Sequence, residues 1–365
     1  MTPKLAIDFT TAILDNRVSV ARASNTATVT NSSGYIVGVN VDLPRFLFDP
    51  ITLTCNGLLI EESSVNYCLY SEAFDVAAAW SPSDASVTAD AATAPSNATT
   101  ADKLVENTAT VEHALTQSIT YAPNNTVTLS LYAKASGRNL RILMSDFTTG
   151  VVYAVYDLSN GTYSQQVTSG SWSSLSPSIT HVGNGWYRCV LTATKGAGSG
   201  VAAVLTLHDG STTAYAGDGS SGVYLWGAQF EPGDEPSSYI PTSSSSVTRN
   251  ADVVSLSGTS FSSLYNPLSG TWAVHADARS GATILTAGSF TLAADVTALK
   301  KYAASYTSDQ AATSLVLGTG TVRELQYFSQ ALTPSDLQLV KSPAGYRSMI
   351  QSVMQSAIIR QEFPV

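Results

Sequence analysis

Residues 125–135 read NTVTLSLYAKA, and Val127, Leu129 and Leu131 alternate there with Thr128 and Ser130. A two-residue period puts successive side chains on opposite faces of an extended chain, so one face is apolar and the other carries hydroxyls. Two further stretches repeat the pattern: residues 186–194 (WYRCVLTAT) and residues 222–230 (GVYLWGAQF). Turn signals punctuate these runs at Ser159-Asn160-Gly161, Gly183-Asn184-Gly185 and Gly217-Asp218-Gly219. Short alternating runs separated by such turns predict antiparallel sheets packed as a sandwich, not parallel βαβ units. Asn184-Gly185 ahead of Trp186 predicts a tight hairpin turn, because both residues tolerate positive φ.

Working outward, residues 81–101 (SPSDASVTADAATAPSNATTA) read as a strand and loops on the sandwich rim, and residues 242–246 (TSSSS) as a linker. Residues 1–70 have a different texture, with Arg17, Arg22 and Arg45 set among aromatics and carboxylates. Thr333-Pro334-Ser335-Asp336 predicts a helix start, with a Thr cap, proline at the first helical position and an acid in the first turn. Beyond it Tyr346, Met349, Ile350, Val353, Met354, Ala357 and Ile358 recur at helical spacing. The expected organisation is an extended N-terminal docking segment (1–70), a jelly-roll, lectin-like domain (71–246), a shortened lectin-like β region (247–342) and a C-terminal amphipathic helix (343–365).

With 365 residues the chain is long enough for two to three domains, and no staple or metal is needed to stabilise cores of that size. Charged residues make up only 12% of it, against roughly 25% in an average globular protein, and the net charge is −9. Hydroxyl and amide side chains replace the missing charges. No cluster of Lys and Arg offers a phosphate-binding surface, which argues against a nucleic-acid partner. No apolar run approaches the ~18 residues of a membrane span, so no membrane insertion is expected. Asp8 interrupts the opening before an apolar signal region forms, so no secretory leader is read. The three cysteines have no metal spacing, and buried thiols are favoured over a Cys55–Cys68 pair.

Chemistry is sparse. Glu61-Glu62 is the obvious acidic pair, but neighbours on a strand point to opposite faces and cannot flank one glycosidic bond. Pairing of these acids with nearby arginines is the favoured reading, and no catalytic residue is expected. Histidines 113, 181, 208 and 275 are scattered without ligand spacing. Sugar rings stack on exposed aromatics. The candidates for glycan contact are Trp172 in the Ser-rich loop SGSWSSLS, Tyr215 before Asp218, and Trp80, whereas Trp186 and Trp226 fall inside alternating strands and read as core. No cofactor is expected, apart from a structural Ca²⁺ for which Asp157 and Asp218 are the candidate ligands. For Arg17, Arg22, Arg45 and Asp49 two readings stand: arginine forks that dock on a partner's carboxylates, or internal pairs that pin an extended segment. Tyr346, Ile350 and Val353 likewise serve either packing on their own domain or docking between chains.

The set of motifs resembles one family. Asp8-Phe9-Thr10, Asp15-Asn16-Arg17-Val18, Ala21-Arg22-Ala23-Ser24, Pro44-Arg45-Phe46, Phe48-Asp49-Pro50, Gly57 to Glu62 and Leu69-Tyr70-Ser71-Glu72 are similar to the opening of the head-spike-fibre or tail-fibre proteins of tailed phages and gene-transfer agents. Tyr132-Ala133-Lys134-Ala135, Val182 to Arg188, Tyr224 to Gln229, Glu231-Pro232-Gly233, Ser238 to Thr242, Val247-Thr248-Arg249 and Val322 to Phe328 continue the likeness. The resemblance implies carbohydrate-binding-module-like and concanavalin-like sandwiches, the third part being short for a complete one. It also implies a non-enzymatic virion protein, located on the particle, with other virion proteins and host-surface polysaccharide as partners. Oligomerisation is implied too, as a trimer by analogy with other fibres. The alternatives are a purely structural head or collar decoration or adaptor, and a polysaccharide depolymerase.

Overall fold

The computed structural model describes residues 2–147, 150–196, 198, 200–278, 281–295, 298–307 and 312–341. The fold is mainly β, with antiparallel pairing throughout the named sheets and two helices, Gly258–Ser262 and Pro334–Lys341, towards the C-terminus.

A central sandwich is built from two six-stranded sheets. One runs in the order Ser173–His181, Tyr187–Thr194, Thr126–Ser136, Gly222–Pro232, Ala101–Glu106, Ala85–Ala92. The other runs Thr162–Thr168, Val151–Asp157, Asn139–Ser145, Gly200–His208, Ala114–Thr120, Ser81–Ser83. The alternation read in residues 125–135 places its apolar face inward: Val127, Leu129, Leu131 and Ala133 join Leu191, Leu225, Ile142 and Leu205 in one core between the sheets. The opposite face of the first sheet is covered as well. Tyr132, Trp186, Trp226 and Tyr239 form a second cluster there, under the segment that carries Tyr239. Asn184 and Gly185 both take positive φ, 53° and 76°, and Trp186 N–H closes the turn on Gly183 O at 2.9 Å, as the Asn-Gly pair predicts.

The N-terminal residues are not an extended docking segment. Leu5–Asp8 and Cys55–Ile60 both pair with Gly320–Phe328, Phe46–Phe48 extends that sheet, and Val18–Ala21 pairs with Val253–Ser257. Their side chains Leu5, Ile7, Phe9, Val18, Leu58 and Ile60 belong to the same core as Leu256, Trp272, Leu285 and Leu325. The C-terminal β region looks short in sequence because its missing strands lie at the other end of the chain. Two ends of the polypeptide therefore build one terminal sandwich, and the central sandwich is inserted between them. The chain crosses between the two at Ser64–Asn66 and Val247–Arg249, which pair with each other.

Gly57 shows how tightly the N-terminal strand is fitted. Its φ is +123°, and a Cβ there would lie 2.3 Å from Val322 O. Only glycine allows the backbone so close. The Thr333 cap is formed: Asp336 N–H donates to Thr333 Oγ1 at 3.2 Å and Thr333 Oγ1 donates to Asp336 Oδ2 at 2.6 Å. The expected helix with Tyr346, Ile350 and Val353 lies outside the described residues.

Candidate functional site

Two of the charged residues singled out in residues 1–70, Arg22 and Arg45, lie where the two sandwiches meet. Arg22, Arg45 and Arg249 are among the largest fully buried side chains, each 1% exposed. Three carboxylates face them. Asp252 accepts Arg22 Nη1 at 2.9 Å and also a hydrogen bond from Arg45 Nη2, while Glu61 N–H reaches Asp252 Oδ2 at 2.9 Å. Glu61 accepts Arg45 Nη1 at 2.6 Å, and Ser238 N–H and Oγ at 2.7 and 2.6 Å. Glu231 accepts the hydroxyls of Ser64 and Ser237, both at 2.6 Å, and Gln229 Nε2 at 2.5 Å. The buried guanidinium groups of Arg22 and Arg45 thus meet the carboxylates of Asp252 and Glu61, the compensation that buried charges require. Although burial opposes its ionisation, Arg45 and Arg249 hold the Glu61 carboxyl down at about 2.

Backbone geometry supports the network. Arg22 also donates to the carbonyls of Ser24, Val39, Asn40 and Leu43, fixing the path of the chain around it. Asn66, fully buried at the crossing point, donates to Ala228 O and Ile240 O and accepts from Cys68 N–H and Phe230 N–H. All four of its amide hydrogen-bonding positions are used. Tyr239 shares a hydrogen bond with Ser71 at 2.6 Å and donates to Glu72 at 3.0 Å.

Two cavities flank Glu61. The larger, about 420 Å³, opens between residues 59–64, 231–237 and 319–321 and has Arg249 and Asp277 in its wall. The smaller, about 200 Å³, lies against Tyr132, Arg188 and Tyr239.

The other candidates fall elsewhere. Trp172, expected to be an exposed ring, is 4% exposed and part of the central core. Its ring fits beside Gly150, where a Cβ would meet Trp172 Cδ1 at 2.8 Å. Trp80 is 1% exposed, packs at 4.9 Å from the Phe74 ring centroid and donates through Nε1 to Tyr70 O. Tyr215 is buried under Arg138 and donates to Glu106 at 2.6 Å. None of the three presents a stacking face to a sugar. Arg22 and Arg45 are internal pairs rather than docking forks. Arg17 closes on Asp15, two residues back, at 2.5 Å, and Asp49 accepts the N–H groups of Ile51 and Thr52 in its own turn. Asp157 and Asp218, taken as Ca²⁺ candidates, each cap their own turn as well: Asp157 accepts from Ser159 and Asn160, Asp218 from Ser220 and Ser221. They do not form a joint ligand set, and among the described residues no group of three or more His, Cys, Asp or Glu could hold a metal. Glu61 pairs with arginine as the sequence suggested. Arg249, Asp252 and Glu231 complete the junction without having been assigned a role; a charge-poor chain that keeps Arg-x-x-Asp at 249–252 was the available signal.

No protein-family model matches the chain, and no curated protein matches it.

Proposed function

We propose that the chain is a non-enzymatic structural component of a tailed-phage or gene-transfer-agent particle, a fibre or spike module. The observation that carries this reading is the convergence of the motifs that resemble that family. Arg22, Arg45, Glu61, Ser238 and Arg249 lie apart in sequence and meet in one junction. Their likeness to fibre proteins then has a physical meaning: Arg45 and Glu61 join the N-terminal strands to Ser238 of the central sandwich. Such a tie suits a part that must keep its shape outside a cell. Its hydroxyl-rich, charge-poor surface fits repeated weak contacts, which multiple copies convert into avidity.

The finer fold reading, a carbohydrate-binding-module-like jelly roll for the central sandwich, is supported by its two six-stranded antiparallel sheets around one core. Within the function, the structural role has more support than adhesion through stacked aromatics, because Trp80, Trp172 and Tyr215 are buried. A depolymerase has little support from Glu61, whose oxygens are already engaged by Arg45 and Ser238.

The test is the protein content of gradient-purified particles from a host carrying the gene. Immunogold labelling and quantitative mass spectrometry should find the chain as a stoichiometric particle component. Its absence from intact particles would overturn the proposal.

A further inference from the structure

Three Asn-Gly pairs stand in the chain, at 56–57, 160–161 and 184–185. Asparagine before glycine favours intramolecular deamidation, because no Cβ on the second residue screens its backbone nitrogen from the side-chain amide carbon, and glycine gives the backbone freedom to bring the two together. In a folded chain the reaction also requires that the nitrogen and the amide are not held elsewhere.

Two of the three pairs are held. Asn56 and Gly57 lie within strand Cys55–Ile60, where Gly57 is buried opposite Leu47 and Asn56 Oδ1 accepts Arg323 Nη2 at 2.9 Å. Asn160 is exposed, but its Nδ2 donates to Asp157 Oδ2 at 2.8 Å and Gly161 N–H donates to Asp157 O at 2.9 Å. Both reacting groups of that pair are engaged. Asn184 and Gly185 are exposed as well. Among the described residues, neither the Asn184 side chain nor the Gly185 N–H has a hydrogen-bond partner. The hairpin is closed on either side of them, by Trp186 N–H to Gly183 O and Val182 N–H to Trp186 O, both at 2.9 Å.

We infer that Asn184 is a self-modification site, which deamidates to aspartate and isoaspartate. The Gly185 nitrogen attacks Asn184 Cγ and the new C–N bond closes a succinimide ring. Nδ2 leaves as ammonia, taking the proton from Gly185. Water then adds to a ring carbonyl. Opening at the side-chain carbonyl restores the normal main chain as aspartate; opening at the main-chain carbonyl routes the chain through Cβ and Cγ as isoaspartate. The sum is one water consumed and one ammonia released.

Isoaspartate adds a main-chain atom to a turn whose closing bonds span only Val182 to Trp186. That turn seats Trp186, which is 2% exposed and donates Nε1 to Thr93 O at 3.1 Å. It also lies against the N-terminal turn: a Cβ on Gly183 would stand 3.5 Å from Pro50 O. The modification therefore loosens the hairpin end of the central sandwich where it meets the N-terminal segment.

The experiment ages the full-length protein in mildly alkaline buffer and maps its peptides by mass spectrometry, with electron-transfer fragmentation to separate aspartate from isoaspartate. Asn184 should convert at least about tenfold faster than Asn56 or Asn160, the rate cost of freeing groups from one or two hydrogen bonds. In urea the three sites should convert at similar rates. Asp157→Ala frees the Asn160 amide and should speed conversion there, with Asn184 unchanged. In the isoaspartate form, separated by ion exchange, the Trp186 amide should exchange about tenfold faster with solvent deuterium. Asn184→Asp, which keeps the normal main chain, should leave that exchange unchanged. Conversion at Asn184 no faster than at Asn160 in the folded protein, or the same spread of rates in urea, would overturn the inference. Unchanged Trp186 exchange in the isoaspartate form would overturn the loosening.

Discussion

Arg22 Nη1 donates to Asp252 Oδ1 at 2.9 Å across 230 residues of chain, and the other oxygen of Asp252 takes the guanidinium of Arg45. One carboxylate thus ties the segment before the first crossing to the segment after the second. Asp252→Ala leaves two buried guanidinium groups short of their partner. Breaking a buried pair by removing one member costs about 3–5 kcal/mol. Equilibrium denaturation in guanidinium chloride should show a loss of that size, located in the transition of the terminal sandwich.

The terminal sandwich needs both ends of the chain. A fragment of residues 250–341 should not fold alone, because strands Leu5–Asp8 and Cys55–Ile60 are absent from its sheet. Adding residues 1–62 as a separate peptide should restore cooperative folding. A fragment of residues 64–249 should fold independently, since its core is drawn from within those bounds. Amide dispersion in heteronuclear NMR spectra distinguishes these outcomes.

Stability should fall in acid, in part through Glu61. Its folded pKa, about 2, lies below the ordinary 4.5, so its contribution is complete above pH 4.5 and is lost as pH falls towards 2. Two and a half units correspond to about 3 kcal/mol. Glu72 and Asp102 are raised by burial and slope the other way. The informative quantity is therefore the difference in slope between wild type and Glu61→Gln below pH 4.5, with wild type the steeper. Burial, helped by Lys301 and Arg323, holds His275 at about 4. It is neutral in the fold and charges more readily once unfolded, so it adds a separate loss between about pH 6.5 and 4, which His275→Gln should remove.

Trp172 and Trp80 should behave as core residues. Trp172→Ala and Trp80→Ala are each expected to cost about 3–5 kcal/mol. Trp172→Phe should cost much less, because Trp172 Nε1 is buried without a hydrogen-bond partner among the described residues and the change removes it. Thermal unfolding measures all three.

The hairpin at Asn184-Gly185 gives a backbone test. Gly185→Val forces a β-branched residue to φ near +76°, a conformation that costs L-residues about 1–2 kcal/mol. The urea midpoint should fall accordingly, with the m-value unchanged.

Much of this fold was legible locally. The period-two runs, the Asn184-Gly185 turn and the Thr333–Asp336 cap each depend on residues close in sequence, and each is present. The pairing of Leu5–Asp8 with Gly320–Phe328 was not legible, because a four-residue strand carries too little pattern to identify a partner more than 300 positions away. Arg22 and Arg45 stood out as rare charges, but exposure decides between docking and internal pairing, and spacing does not report exposure. Trp172 was misread because the serines around it are polar while the ring itself folds under them into the core. Arg249 drew attention only as part of a motif; its pairing with Glu61 exists only in three dimensions.

The measurement that tests the central claim most directly is a cryo-EM reconstruction of the native particle at a resolution that traces side chains. The account predicts this chain on the particle, its two sandwiches forming one rigid unit with the junction of Arg22, Arg45, Glu61 and Asp252 intact and internal. A particle without this chain, or one in which the sandwiches separate and these arginines contact another protein, would contradict it.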